Sequence, residues 1–313
     1  MTHQQKIAEM GLRDLPLRFR IQLYREALQL HDENDWGCVR IVEELSAKHQ
    51  VKIWNSTVSR WLTGKRNPEA KCTLFTPKPS PELSYFTGVF TGDGTITSGS
   101  WPTTKVITLA TVDKDFAEMF NRAAVTILGH SKPYRMHYYA QKYWVKIHST
   151  LLADFLQEPF SKIKRYVEEH PAEFVRGFFD AEGSIGVTLT KDRLEPMLNV
   201  VNTNPDYIHS IEDLLKKQFN IKLRTSRREL GENRRAFYTL YTYRYKLINR
   251  FDSKIGFGIL RKREKLNDVL KLLEKHSARR AAVKWKELYA KAGRKWKKKN
   301  RRAKSQRFKN KNN

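Results

Sequence analysis

Two acids, Asp93 and Glu182, stand in matching surroundings 89 residues apart. Each is followed by a glycine, Gly94 or Gly183, and preceded by small residues four positions apart: Gly88 and Gly92, then Gly177 and Ala181. Small residues one helical turn apart let two helices pack with their backbones close. Gly94 and Gly183 are expected to take the left-handed conformation that ends a helix. Carboxylates set side by side at two helix C-termini meet the negative end of each macrodipole and repel each other. A divalent cation relieves both penalties, and a hard ion held by one or two carboxylates with phosphate and water is Mg²⁺, with Mn²⁺ able to substitute. One copy alone would read more plainly as ordinary close packing and an Asp-Gly turn; its repetition in matched context outweighs that reading.

The elements needed to position these acids also recur. The spacing predicts strands over 106–110 and 143–147 after the first acid, and over 184–190 and 198–202 after the second. Helices are expected over 116–128 and 208–219, with closing helices over 150–156 and 246–252. A further hairpin in KLRTSRREL and RRAFYTLYTYRY puts Arg224, Ser226 and Arg228 on one face, suited to reading a nucleic-acid groove.

The pair Gly-Val-Phe-Thr-Gly-Asp-Gly and Gly-Phe-Phe-Asp-Ala-Glu-Gly resembles the two motifs of single-chain LAGLIDADG homing endonucleases, over about residues 82–273. That resemblance implies an α+β fold of two pseudo-symmetric αββαββα repeats. The motif helices would meet at a pseudo-two-fold axis, and two saddle-shaped antiparallel sheets would straddle the DNA. It implies that Asp93 and Glu182 are the metal-binding catalytic acids. Thr91 departs from an earlier motif Asp that Asp180 retains, a position that is not the catalytic one. IGFGILRKREKL is similar to the family's closing segment and places Lys262 as the basic residue that orients solvent or stabilises developing charge. Lys162 or Lys164 would be its counterpart in the first repeat. A strand-end lysine, seen in some members, is absent, since Val112 and Thr203 occupy those positions.

Ahead of the repeats, residues 1–72 read as a helix-turn-helix unit, with helices expected over 17–30, 39–49 and 57–62. Asn55 or Ser56 would cap the last helix and Gly64 would end it. Val58, Trp61 and Leu62 would face its core, while Ser56, Thr57, Ser59 and Arg60 would face a major groove. Residues 73–81 read as a linker, 82–170 and 171–273 as the two repeats, and 274–313 as a basic tail.

Charge supports this assignment. The 313 residues hold 60 Lys and Arg against 33 Asp and Glu, a net +27, which points to a polyanion. Residues 275–313 carry 17 Lys or Arg and one acid, Glu287. They begin helix-like through Ala281, Ala282, Trp285, Leu288 and Tyr289 and read as a sequence-blind arm with Trp285, Trp296 and Phe308 available to stack, the last dozen residues reading more plainly as a disordered solubilising tail. No apolar run approaches the roughly 20 residues of a membrane span. The start of the chain lacks the apolar core of a secretory signal, so an intracellular, cytoplasmic or nucleoid-associated protein is expected. Cys38 and Cys72 form no disulfide or zinc pattern, and the nine histidines show no metal-ligand spacing.

The expected function is a monomeric, site-specific homing endonuclease that hydrolyses one phosphodiester in each strand of a long double-stranded DNA site. A non-cleaving helix-turn-helix regulator on the same scaffold is the first rival. An RNA maturase acting on structured intron RNA is the second. An intein is disfavoured by the first and last residues of the chain.

Overall fold

A computed structural model describes residues 12, 14–70, 72–99, 104–229, 236–293 and 295–299. Within these, three helices come first: α1 (Leu17–Asn34), α2 (Cys38–His49) and α3 (Asn55–Leu62). Leu23, Ala27, Ile41, Leu45, Val58 and Trp61 close a small core among them. The third helix begins two residues earlier than expected, so Asn55 and Ser56 lie inside it and neither side chain caps it; the cap position falls on Trp54. Thr57 also departs from the expected groove-facing position. It lies one turn before Trp61, on the core face of α3, and is 9% exposed, whereas Ser56, Ser59 and Arg60 face solvent.

No helix or strand forms over 73–80, but the segment is anchored: Phe75 packs edge-on against Phe155 at 5.5 Å. Ser80 then opens α4 (Pro81–Asp93), its hydroxyl accepting from the Leu83 N–H at 3.0 Å with proline in the first turn. The first repeat continues through β1 (Thr95–Ser98), β2 (Lys105–Thr111), α5 (Lys114–Leu128), β3 (Met136–Tyr139), β4 (Lys142–His148), α6 (Thr150–Leu156) and α7 (Phe160–Val167). The second runs α8 (Pro171–Glu182), β5 (Gly183–Thr190), β6 (Arg193–Asn202), α9 (Pro205–Phe219), β7 (Arg224–Arg228), β8 (Phe237–Thr242), α10 (Tyr245–Lys254) and α11 (Leu260–Lys275). Each repeat thus carries an αββαββα unit. The sheet orders are identical, β1-β2-β4-β3 and β5-β6-β8-β7, and every pairing is antiparallel.

The two repeats share one core through α4 and α8. A Cβ at Gly88 would collide with the carbonyl oxygen of Phe174 and lie 2.9 Å from the nitrogen of Phe178; at Gly177 it would collide with the Tyr85 carbonyl and lie 2.9 Å from the nitrogen of Val89. Tyr85 precedes Phe174, and Val89 precedes Phe178, by the same 89 residues that separate the two glycines. The contact is therefore reciprocal, as a two-fold axis requires.

The C-terminal segment overturns the expectation of a free arm. Helix α12 (Ala278–Leu288) is followed by a hairpin of β9 (Tyr289–Ala292) and β10 (Lys295–Lys298). Trp285 is fully buried and stacked on Tyr289 at 3.8 Å, in a cluster with Val187, Leu194 and Val269. Trp296 donates its indole N–H to the carbonyl of Val187 at 3.0 Å. Neither tryptophan is free to stack on bases, because both hold this segment against the β5–β6 hairpin. Phe308 lies outside the described residues.

Candidate active site

Asp93 ends α4 and Glu182 ends α8, and the crossing of these helices brings the ends together. A Cβ at Gly92 would lie 2.5 Å from the Cβ of Ala181 and 2.9 Å from the Cγ of Glu182, so the stem of Glu182 reaches the foot of the other motif. Burial, and then the charge of Asp93, push the Glu182 carboxyl up to about 7; the Asn202 amide, donating to Oε1 at 3.1 Å, and Lys262 act against them. Desolvation by the surrounding protein raises Asp93 as well, opposed by Lys262 and Lys142.

Gly94 and Gly183 are not left-handed. Their φ/ψ values are −76/145° and −81/156°, open to any residue by conformation alone. Space excludes a side chain instead: a Cβ at Gly94 would lie 2.7 Å from the Cα of Phe90, and one at Gly183 would lie 2.6 Å from the carbonyl oxygen of Phe179. The chain leaves each helix by turning back over its last turn.

Lys262, in the first turn of α11, is 6% exposed. Its Nζ donates to the carbonyls of Phe179 and Asp180, at 3.0 and 2.5 Å, where the negative end of α8 accepts a cation. Burial brings its amine down to about 8 although Asp180, Asp93 and Asp113 favour the charge. Asp180 fixes the loop that delivers it. One carboxylate accepts from the N–H groups of Gly258 (2.9 and 3.1 Å) and Ile259 (3.3 Å), and also from the Tyr85 hydroxyl at 3.1 Å. Burial lifts Asp180 to about 6 even against these bonds. Arg261 forks onto Asp113 at 2.6 and 2.7 Å, tying the same turn to the first repeat.

Lys162 and Lys164 do not join the site. Both project from α7 while Ile163 and Val167 are buried, and they pair with Glu158 at 2.9 Å and Glu168 at 3.4 Å. The cation of the first repeat whose charge does reach Asp93 is Lys142, at the start of β4. No sequence motif pointed to Lys142 or Asn202. Each lies at a strand end, and only the packing of strands against the motif helices reveals their proximity to the acids.

The sheets carry the remaining candidates. Thr225 bonds Glu212 of α9 at 2.9 Å, so Arg224, Ser226 and Arg228, which alternate with it, lie on the face away from the helices, and all are exposed. Register aligns them with Tyr241, Thr239 and Phe237. In the first sheet the corresponding row along β4 is Lys142, Trp144, Lys146 and His148, alternating with the core residues Val145 and Ile147.

Among the described residues no three His, Cys, Asp or Glu side chains cluster as a self-sufficient metal site. Two adjacent carboxylates and a nearby amide nevertheless match the donor set that Mg²⁺ takes when substrate phosphate and water complete its shell.

Residues 169–256 match the family model described as a LAGLIDADG-like domain. The second repeat is thus similar to a LAGLIDADG-like domain. The match takes in Glu182; Asp93 is related to it by the 89-residue register and the identical sheet order of the first repeat. An uncharacterized protein of Methanocaldococcus jannaschii is 29% identical over 278 residues, spanning 85% of this chain and 100% of its own. Among solved structures, the homing endonuclease I-DmoI in complex with DNA and Ca is similar at 14% identity and a TM-score of 0.44, over 63% of this chain and 98% of that one. I-GzeII in complex with its DNA target is similar at 12% identity and a TM-score of 0.44, over 63% and 92%. The N-terminal LAGLIDADG domain of DUF199/WhiA is similar at 18% identity and a TM-score of 0.39, over 58% and 84%.

Proposed function

We propose that the protein is a site-specific DNA endonuclease that cleaves both strands of a duplex. The observation that carries this reading is the placement of Asp93 and Glu182 at the meeting point of two pseudo-symmetric helices, where the charge of Asp93 disfavours that of Glu182. Asp93 and Glu182 would hold Mg²⁺ or Mn²⁺, which when bound activates water and polarises a phosphodiester. Asn202 orients Glu182 through its amide hydrogen bond. Lys262 keeps positive charge beside the acids from a dry position, and Lys142 offers a solvent-facing cation to a phosphate on the side of Asp93. Two acids on a pseudo-two-fold axis suit one cut in each strand. The outer sheet faces, with Arg224, Ser226 and Arg228 on one and Lys142 and Lys146 on the other, supply groups for reading a groove. Ser56, Ser59 and Arg60 offer a further exposed polar face on the N-terminal unit.

The test is cleavage of a randomised-site duplex library with Mg²⁺. The wild-type chain should cut, while Asp93→Asn and Glu182→Gln should lose cleavage by at least about 10²-fold and keep duplex affinity. Cutting by the double variant would overturn the assignment. Tight duplex binding by a wild-type chain that never cuts would favour the regulator.

A further inference from the structure

A cavity of about 1090 Å³ lies where the N-terminal helices meet the far end of the first sheet. Arg20, Lys65 and Arg66 line it from the helical side, and Lys105 and His148 from strands β2 and β4. No Asp or Glu is among the described residues of its wall. Lys105 is committed to Asp154 at 2.6 Å, but the side chains of Arg20, Lys65 and Arg66 make no ion pair or hydrogen bond among the described residues. The Nε of Arg20 is buried without a partner. The same is true of the Nε1 of Trp61, a residue only 1% exposed that lines the same wall. Burial, and then the like charge of Arg66, hold the Arg20 guanidinium below its ordinary value, against a pull from Cys72. Two guanidiniums lining one cleft, the charge of Arg66 acting against that of Arg20 and neither in an ion pair among the described residues, form an incomplete constellation beside orphaned N–H donors.

We propose that this cleft is an anion site that takes the phosphodiester backbone of a duplex leaving the first sheet. The proposal rests on the DNA-binding reading above and adds a clamp at which the two units of the chain hold one strand together. Its position favours that occupant. Lys142, Trp144, Lys146 and His148 form one row on the solvent face of β4, beginning at the cation that acts on Asp93 and ending in the cleft wall. Six residues of strand span about 20 Å, and at about 3.4 Å per step of one DNA strand the cleft meets the backbone about six base pairs from the acids.

Two arms on the full chain test this. In the first, melting is followed in inorganic phosphate and in chloride of equal ionic strength for wild type, Arg20→Gln/Arg66→Gln and Arg20→Lys/Arg66→Lys. The extra stabilisation by phosphate should shrink in the Gln variant and persist in the Lys variant. Equal stabilisation of all three overturns the anion site. In the second arm, duplex affinity is measured against salt. The Gln variant should lose about 2 from the slope of log K on log salt, about 0.9 per phosphate contact, and the Lys variant should keep it. A lost phosphate effect with an unchanged slope overturns the backbone as occupant. A wild type that binds no duplex overturns the DNA reading and this occupant together, while the phosphate arm still decides whether the cleft binds anions.

Discussion

At the scale of single residues, the acids work against the fold that holds them. Glu182, lifted to about 7, and Asp180, lifted to about 6, bind protons more tightly folded than unfolded. The folded state therefore holds more protons between the unfolded and folded values, and stability must fall as pH rises through that window. In metal-free protein the contributions of Glu182 and Asp180 are fully present below about pH 4 and are lost towards pH 7. Glu182→Gln should remove the upper part of this loss and leave the lower part, which belongs to Asp180. Chemical denaturation at a series of pH values reads both, and a flat profile in wild type would contradict the burial of these groups. Divalent metal should also flatten the upper part, since it offsets the repulsion between Glu182 and Asp93. The motif glycines carry the opposite kind of sensitivity. Gly88→Ala or Gly177→Ala drives a methyl group into backbone of the facing helix, and each should cost about 1–3 kcal/mol or more. A neutral result by denaturant titration would mean that α4 and α8 can move apart freely.

At the scale of elements, the sequence was legible wherever an apolar period or a repeat marked the chain. Motif helices α4 and α8, strands β2, β4, β5 and β6, and helices α5 and α9 all lie where apolar spacing placed them. Strands β1 and β3 escaped notice because each has four residues, is mostly exposed and shows no apolar alternation. Thr57 differs from expectation because its helix starts two residues earlier than the sequence suggests, at Asn55. Residues 278–298 show the widest gap: the stripe of Ala281, Ala282, Trp285 and Tyr289 reads as helical, but nothing in the cationic run that follows marks the β9–β10 hairpin or its docking on the second sheet. Lys142 was invisible for a different reason, since nothing local distinguishes it from any other exposed strand lysine. The C-terminal docking gives a prediction of its own. Trp285→Ala should destabilise the protein by about 3–5 kcal/mol. Trp285→Phe should cost less, because the indole N–H has no partner to lose. Melting curves distinguish them, and an unaffected Trp285→Ala variant would show that α12 does not support the second sheet.

At the scale of the whole molecule, the +27 is divided between the residues up to Lys299 and those beyond it. Removing 300–313 should make duplex binding less salt-dependent, and an unaltered salt slope would mean that this segment touches no phosphate. Removing 275–313 should also lower the melting temperature, because Val187 and Leu194 would lose the surface that covers them.

The treatment of the sheet edges has a bearing on how the chain behaves in company. Each four-stranded sheet has two outer strands whose unpaired N–H and C=O groups could recruit a strand from another molecule. Strands β1 and β3 are too short to offer much of a template. Strand β7 bristles with Arg224, Arg227 and Arg228. The long edge strand β5 has the carbonyl of Val187 taken by the Trp296 indole, with the β9–β10 hairpin drawn alongside. Every open margin is thus clipped, charged or occupied, which guards a crowded, concentrated solution of this protein against strand-by-strand polymerisation.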